Sequence, residues 1–253
     1  MEIQPIAYFR SPFATKFGIP KQSGLADTLR GTIEFVPKYR NVDALRGIEE
    51  FDYLWLIWEF SANKHEASSP VVRPPRLGGN VRMGVFATRS PFRPNRLGLS
   101  SVRIEGVDYE AKNGPVLRVL GADLMDGTPI YDIKPYVTYA DSHADARSGF
   151  VDSHEARHLR VEIAESMACH FSREELDALR QVLELDPRPQ YHDNPNKIYG
   201  MTFAGRDVRF RVNGDVLEVV DVMADAYGNV SSVCDNIEKG CVKVNAIKSR
   251  SDP

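Results

Sequence analysis

The first half of the chain consists of short segments with the side-chain patterns of β-strands, separated by turn residues. Residues 31–36 alternate between apolar and polar side chains, whereas residues 51–60 are apolar and aromatic on both faces, which is typical of a central strand. Strands at this spacing, with few helical patterns between them, predict a barrel or a curled sheet. We expect strands at residues 3–9, 31–36, 51–60, 81–88, 97–107 and 115–124, with a hairpin turn at Asn113-Gly114.

The pattern changes after about residue 139. Residues 140–153 are rich in Asp, Ser, Ala and Gly and are expected to form an exposed linker. Ser172 and Glu175 have the spacing of a capping box, and apolar residues at helical spacing follow until Asp186-Pro187 ends the helix. Further strand patterns lie at residues 159–163, 206–212, 216–222 and 241–247. Together with this helix, they predict a small α+β domain and one strand beyond it.

Composition restricts the class of protein. The chain has 253 residues, 42% of them hydrophobic and 26% charged, which excludes a collagen-like, coiled-coil or wholly disordered protein. Its longest apolar run is far shorter than the ~20 residues of a membrane span, and no signal sequence follows Met1. The three cysteines form no C-x-x-C motif. We therefore expect a cytoplasmic protein with reduced thiols and no membrane partner.

An excess of positive charge is confined to one stretch. Between Ala67 and Ile104 there are seven arginines and neither an acidic residue nor a lysine, although the whole chain has a net charge of −3. The planar guanidinium binds carboxylate and phosphate oxygens through paired hydrogen bonds, so one interpretation is an anionic partner. The other is that these arginines pair with the acidic remainder of the fold. Prolines and glycines in the stretch indicate a rigid loop, which favours the first interpretation.

Motifs for common nucleotide and metal sites are absent or weak. Neither a P-loop nor G-x-G-x-x-G occurs, which argues against a doubly wound nucleotide-binding fold. Residues 154–158 match the zinc motif H-E-x-x-H, with His170 and Glu174 available as a third ligand. The match runs from a polar linker into a strand pattern, however, whereas such motifs lie in buried helices. We therefore expect no metal site and retain a zinc hydrolase using His154 and His158 only as a lesser alternative.

Four longer motifs resemble those of one family. They are RPPRLGGNVRMGVFATRSPFRPNRLGLS at residues 73–100, SPFATKFGIPKQSGL at 11–25, DLMDGTPIYDIKPY at 123–136 and DPRPQY at 186–191. Through these motifs the chain resembles the YaeB/TsaA-like family, whose characterised members are TrmO-type tRNA (adenine(37)-N6)-methyltransferases. The first three motifs lie within about the first 140 residues, and DPRPQY extends the resemblance to roughly residue 222.

The resemblance implies a mainly β fold with a single-sheet antiparallel β-barrel at residues 1–139 and a small α+β domain contacting tRNA at 154–223. The linker expected from composition at 140–153 joins them, and an extension of unassigned role at 224–253 lies beyond the resemblance. The resemblance also implies S-adenosylmethionine as the cofactor, a homodimer, and a tRNA anticodon stem-loop as the partner. The implied methyl acceptor is N6 of the adenine at position 37, which already carries a threonylcarbamoyl group (t6A).

The family pattern also implies which positions bind the cofactor. They are Pro20, Lys21, Gln22, Ser61, Ala62, Arg89, Leu99, Asp126, Gly127, Thr128 and Pro129. Lys21 stands where many members have arginine, which keeps the charge and loses the forked geometry. Ser61 and Ala62 lie in a variable segment, so we expect contact there through the backbone.

The acceptor nitrogen must lose a proton around the time of methyl transfer. Asp132 or Asp126 could accept it, with Lys134 and Tyr136 orienting the group, although Asp132 could equally form a structural ion pair with an arginine. Asn95 could hold the acceptor or brace its loop. Contacts to tRNA phosphates and bases are expected from Arg73, Arg76, Arg93, Arg96, Arg188 and Tyr191. A module that binds the cofactor or RNA without catalysis is the remaining alternative.

Overall fold

The computed structural model describes residues 2–63, 69–152, 157–189 and 194–224. Six strands of the N-terminal half pair antiparallel in the order β1-β2-β7-β6-β3-β8, and β8 pairs back to β1 to close the sheet into a barrel. Two short strands, β4 and β5, pair separately. The bounds of the eight are β1 Ala7–Arg10, β2 Arg30–Phe35, β3 Tyr53–Glu59, β4 Val71–Val72, β5 Met83–Gly84, β6 Leu97–Asp108, β7 Val116–Leu120 and β8 Pro129–Pro135.

Alternation along β3 fills the barrel interior. Leu54, Leu56 and Trp58 are buried, while the residues between them face outward or lie at intermediate exposure. Opposite Trp58 on the neighbouring strand stands Gly98, where an added Cβ would lie 2.3 Å from the indole Cε2. A glycine is therefore needed at this position because the indole occupies the space of a side chain.

Several sequence predictions are confirmed and others need correction. The chain is mainly β, as expected. Residues 81–88 were expected to form a strand, which is wrong: only β5 and the single 3-10 turn Val85–Ala87 form there. Val85 is buried, whereas Val81 and Phe86 are exposed, so the apolar pattern does not face a core. The first strand is also shorter than expected, since Pro5 lacks the N–H that ladder pairing requires.

Strand β8 was not predicted, although it closes the barrel. Its seven residues pair with β3 along most of their length and with β1 at Ile130 and Pro129. Its two prolines argue against a strand in the sequence. Each lies at an end of β8, however, where the missing N–H interrupts little of the hydrogen-bond ladder. A register shift between Ile57 and Trp58 accompanies this pairing.

A second unit follows the one-turn helix α1 (Thr138–Asp141). Its four strands pair in the order β10-β11-β12-β9, with β9 parallel to β12. Helix α3 begins at the predicted capping box, since Ser172 Oγ accepts from Glu175 N (3.2 Å) and Glu175 Oε2 accepts from Ser172 N (2.8 Å). The bounds are β9 Arg160–Ile163, α2 Glu165–Ala168, α3 Arg173–Glu184, β10 Tyr199–Phe203, β11 Arg206–Asn213 and β12 Val216–Ala224.

The loop between β1 and β2 packs into this second unit rather than only onto the barrel. Phe13, Ala26 and Leu29 belong to the apolar core formed by α3 and its sheet, and the rings of Phe13 and Phe203 meet edge to face with centroids 5.4 Å apart. Gln181 of α3 accepts hydrogen bonds from Thr28 N and Oγ1 (3.1 and 2.9 Å). The two units therefore share a core, contributed in part by residues 11–29.

No helix in the described ranges is long and apolar enough to span a bilayer. The expected strand at residues 241–247 lies outside the described residues. Besides Val85–Ala87, single 3-10 turns occur at Pro37–Tyr39, Val42–Leu45, Ile48–Glu50, Pro75–Leu77 and Gly149–Val151.

Candidate functional site

A cleft of about 490 Å³ lies where the β1–β2 loop, the end of β3, the loop at residues 88–96 and β6 meet. We call residues 88–96 the arginine-rich loop and this cleft the barrel cleft. Its size is that of a typical small-molecule site. Its lining is Lys16, Ile19, Pro20, Lys21, Gln22, Trp55, Trp58, Glu59, Phe60, Ser61, Ala62, Asn63, Thr88, Arg89, Pro91, Arg93, Leu97, Gly98, Leu99, Ser100, Asp123, Met125 and Thr128.

The arginine-rich loop is fixed by hydrogen bonds within itself. Arg93 Nη1 donates to the carbonyl oxygens of Thr88 and Ser90, both at 3.2 Å. Phe92 N donates to Ser90 Oγ (3.2 Å), and Ser90 N donates to Thr88 Oγ1 (3.3 Å). The loop therefore has a defined conformation, and Arg89, near its start, lines the barrel cleft. Its guanidinium donates to Gln22 Oε1.

Arg96 joins the arginine-rich loop to the end of β3 and to the turn that follows it. Its Nη2 lies 3.0 Å from Glu59 Oε1, and its Nη1 donates to the carbonyl oxygen of Asn63 (3.0 Å). Tyr131 Oη donates to the other oxygen of Glu59 (2.5 Å), and burial together with this carboxylate raises the pKa of Tyr131 to about 12. Arg96 therefore pairs with an acidic residue of the fold, which is the second of the two interpretations of the arginine-rich stretch.

Lys16 connects the β1–β2 loop to the end of β3. Its Nζ donates to the carbonyl oxygen of Ala62 (3.2 Å) and to Asn63 Oδ1 (3.0 Å). Asn63 is itself buried. These bonds satisfy polar groups of the turn after β3, so that Ser61 and Ala62 are presented to the barrel cleft by a fixed backbone.

A buried hydrogen-bond chain ends at a carboxyl group in the barrel cleft. Trp58 Nε1 donates to Ser100 Oγ (3.0 Å), and Ser100 Oγ donates to Asp123 Oδ1 (2.6 Å). Trp58 and Ser100 are both buried. Burial raises the pKa of the Asp123 carboxyl, against the hydrogen bond from Ser100 and the charge of Arg89, which both lower it.

The structure brings most of the predicted cofactor-binding residues together. Eight of them line the barrel cleft: Pro20, Lys21, Gln22, Ser61, Ala62, Arg89, Leu99 and Thr128. The other three, Asp126, Gly127 and Pro129, flank Thr128 without lining the cleft. Their turn is anchored to the start of the chain, since Asp126 Oδ1 accepts from Ser11 N (3.1 Å) and Gly127 N donates to Phe9 O (2.8 Å).

The predicted catalytic residues are not among those that line the barrel cleft. Asp132 is about half exposed and pairs with Lys134 (Oδ2 to Nζ, 3.0 Å), so its ion-pair partner is this lysine and not one of the arginines considered from the sequence. Tyr136 packs beside Trp55, with ring centroids 5.7 Å apart, and Trp55 lines the cleft. Asn95 is exposed, immediately before Arg96.

The predicted tRNA contacts occupy different environments. Arg73 is exposed, and Arg93 and Arg96 are partly buried in the contacts described above. Arg188 is only 6% exposed, and its Nε and Nη2 each lie 2.8 Å from a different oxygen of Asp186, so the structure places it in an ion pair, and its contact with RNA stays a prediction. The side chain of Arg76 and all of Tyr191 lie outside what the structure describes.

Sequence reasoning missed several residues of the barrel cleft. Asp123 and Ser100 lie at the ends of two motifs already singled out, DLMDGTPIYDIKPY and the arginine-rich stretch, and no role was assigned to either. The only available signal was their position in those motifs. Lys16 gave the same signal, since it lies within SPFATKFGIPKQSGL, whereas Glu59 and Asn63 lie outside the four motifs and their contacts join distant parts of the chain.

Residues 154–156 of the H-E-x-x-H match lie outside the described residues. Arg157, within the match, donates to Gly214 O and pairs with Asp215, both at 2.8 Å, and residue 160 begins strand β9. Elsewhere in the described ranges, no group of three His, Cys, Asp or Glu side chains is placed to hold a metal ion.

Two family models match the chain, one over the range of the barrel and one over the range of the α+β unit. The family model of the tRNA-methyltransferase O N-terminal domain matches residues 8–142, and that of the TrmO C-terminal domain matches residues 156–225. The chain therefore belongs to the tRNA-methyltransferase O family.

Individual relatives agree over nearly their whole length. A tRNA (adenine(37)-N6)-methyltransferase of Escherichia coli is 38% identical, over 86% of this chain and 96% of its own. A Pseudomonas aeruginosa protein named as an S-adenosylmethionine-dependent methyltransferase, RcsF, is 41% identical over 87% of this chain and 96% of its own. The crystal structure of TrmO from P. aeruginosa superimposes with a TM-score of 0.71 at 36% identity, over 88% of this chain and 97% of that one.

Proposed function

We propose that this chain is an S-adenosylmethionine-dependent tRNA methyltransferase, which transfers a methyl group to N6 of t6A at position 37 beside the anticodon. The observation that carries the proposal is the convergence of Gln22, Arg89, Leu99 and Thr128, from four separate segments, on one cleft of about 490 Å³. Relatives matched over nearly their full length bear the corresponding names.

The barrel cleft fits the chemistry of the cofactor. S-adenosylmethionine has a carboxylate, an adenine and a positively charged sulfur. Lys21 and Arg89 supply positive charge for the carboxylate. The Ser61 N–H donates to the Glu59 carbonyl oxygen (2.7 Å), so the Ser61 carbonyl oxygen and the Ala62 N–H are the backbone groups offered to the adenine. When bound, the cofactor supplies an activated methyl group, and the protein's task is to hold it in line with the acceptor, which can reduce the barrier by ~7–11 kcal/mol.

We assign binding of the methyl acceptor to residues beside Trp55, at the edge of the barrel cleft. Tyr136 packs on Trp55 at the edge of the barrel cleft, and Asp132 and Lys134 lie on the same strand β8. In this assignment Asp132 or Asp126 takes the proton that N6 loses, while Lys134 and Tyr136 orient the threonylcarbamoyl group. Asn95 positions the acceptor from the arginine-rich loop.

The proposal extends to the whole assembly. The barrel is the catalytic domain, and the α+β unit, together with Arg73, Arg93 and the segment around Tyr191, contacts the anticodon stem-loop. The protein acts as a homodimer in the cytoplasm, where its tRNA substrate is found. Phosphate contacts of this kind make tRNA affinity fall steeply with salt concentration.

One experiment tests the activity. The protein is incubated with S-adenosylmethionine labelled on its methyl group and with tRNA that either carries or lacks the threonylcarbamoyl group. Label incorporated into the modified tRNA alone, at position 37, is the expected result. Cofactor binding without label on either tRNA contradicts the proposal and favours a non-catalytic binding module.

A further inference from the structure

We propose that Asp123 is a specificity-determining residue, whose carboxylate lies against the sulfonium of the methyl donor and so favours the donor over its neutral thioether product. This inference rests on the proposed function of the barrel cleft. Two observations carry it: the chain Trp58–Ser100–Asp123, which holds the carboxyl group in place, and the distribution of charge over the cleft lining.

The first observation concerns the position of the carboxyl group. Ser100 Oγ and the backbone N–H of Ser23 both hydrogen-bond Asp123, and Trp58 in turn fixes the hydroxyl of Ser100. Burial removes the hydration of a carboxylate, and hydrogen bonds from these donors offset only part of that cost unless an opposite charge lies beside it. Arg89 attracts it only through the longer-range field. A cationic ligand in the cleft supplies the missing compensation.

The second observation concerns the remaining charges. Among the lining residues, Lys16, Lys21, Arg89 and Arg93 are basic, and Glu59 and Asp123 are acidic. Glu59 is already bound by Arg96 and by the hydroxyl of Tyr131. Asp123 is therefore the carboxylate of this lining that is available to a positive charge on the ligand.

The kind of cation follows from the acceptors that remain. An ammonium group carries three N–H donors, and a site for it needs several free acceptors. Asp123 already accepts from Ser100 Oγ, from the backbone N–H of Ser23 and from its own backbone N–H, which leaves little capacity for that group. A sulfonium donates no N–H bonds and needs only nearby negative charge and polarisable surroundings, which the rings of Trp58 and Phe60 in the same lining provide.

A direct consequence is discrimination between donor and product. When the methyl group is transferred, its bond to sulfur breaks and the bonding electron pair stays on sulfur. The positive charge of the sulfonium is then gone. The attraction to Asp123 is then lost, whereas every contact to the adenine, ribose and amino-acid parts is the same for both ligands. The difference in affinity between donor and product therefore reports on the groups around the sulfur, and the part of it that is lost on replacing Asp123 reports on that carboxylate.

The test measures dissociation constants of S-adenosylmethionine and S-adenosylhomocysteine by titration calorimetry for the wild-type protein and for Asp123→Asn. Wild-type protein is expected to bind the donor more tightly than the product. The substitution keeps the shape of the side chain and is expected to weaken donor binding about tenfold while changing product binding less than twofold. Glu34→Gln, which removes a carboxylate on the barrel exterior, is the matched control and leaves both constants unchanged.

The outcomes separate this inference from the function on which it rests. Wild-type protein that binds neither ligand contradicts the proposed function itself. Wild-type protein that binds both ligands equally, or an Asp123→Asn variant that loses affinity for both in the same proportion, overturns the role of Asp123 and leaves the proposed function standing. Equal binding of the two ligands by the wild-type protein overturns the role of Asp123 even where the variant fails to fold.

Discussion

The guanidinium of Arg89 hydrogen-bonds the side-chain oxygen of Gln22, which lies 67 residues earlier in the chain. This contact joins the arginine-rich loop to the β1–β2 loop across the mouth of the barrel cleft. Because both residues belong to long sequence motifs of the family, their meeting in one cleft connects the motifs to a single binding site.

Replacing Arg89 by alanine is expected to weaken binding of S-adenosylmethionine by one to two orders of magnitude, about 1.5–3 kcal/mol for a charge-assisted hydrogen bond. The loss arises because the cofactor carboxylate loses its positively charged partner. Calorimetric titration measures it. Arg82→Ala, in the same arginine-rich stretch but outside the cleft lining, is the control and keeps the wild-type dissociation constant. Equal constants for the two variants would refute the assignment of Arg89.

Replacing Arg188 by alanine is expected to lower the free energy of unfolding by up to ~3 kcal/mol, since the partly buried carboxylate of Asp186 loses its partner. Urea denaturation of the two proteins measures the difference. Arg209→Ala removes an arginine from an exposed ion pair with Asp207 and is expected to cost at most ~1 kcal/mol. A wild-type unfolding curve for Arg188→Ala, together with impaired tRNA binding, would return Arg188 to the RNA-contacting role predicted from the sequence.

The same ion pair predicts how stability depends on pH. Burial raises the pKa of the Asp186 carboxyl, but the hydrogen bonds and charge of Arg188 outweigh it, and the pKa lies below its usual value. A lowered folded-state pKa contributes stability that is present above the unfolded-state pKa, about 3.9, and is lost as the pH falls through the folded-state value.

Urea denaturation of wild-type protein and of Asp186→Asn across the acid range tests this. The wild-type advantage is expected to shrink as the pH falls below about 4, because protonation of Asp186 removes the charge that the variant already lacks. Asparagine tolerates the left-handed conformation of this position (φ +49°), so the backbone is retained. An advantage that stays constant down to the lowest pH would contradict the assignment.

Replacing Gly98 by alanine is expected to destabilise the barrel by ~1–3 kcal/mol, because the new methyl group would overlap the indole of Trp58. Displacing the indole also disturbs its hydrogen bond to Ser100, so cofactor affinity is expected to fall together with stability. Thermal unfolding and calorimetric titration measure the two effects. Gly84→Ala, where an added Cβ meets no atom within 4 Å, serves as the control. Wild-type stability in Gly98→Ala would show that the indole can move aside freely.

Local sequence patterns were sufficient for several elements. The alternation in β2, the apolar faces of β3 and the capping box before α3 each act over a few neighbouring residues, so their physical cause is visible in the sequence. The resemblance to known motifs, for its part, supplied eleven expected cofactor-binding residues, eight of which line the barrel cleft. It could not indicate which of those residues face the cleft and which, like Gly127, brace it from behind through a backbone bond to β1.

Amino-acid order was thus enough for the β-rich class of the chain, for most barrel strands and for the helix start, because burial periodicity and capping are short-range effects. The burial of Asp123, the pairing of Arg96 with Glu59 and the insertion of Phe13 into the α+β core became visible in the folded chain. Each depends on groups that are far apart in sequence, and the energy of a buried charge or a packed ring is set by whichever distant groups the fold brings beside it.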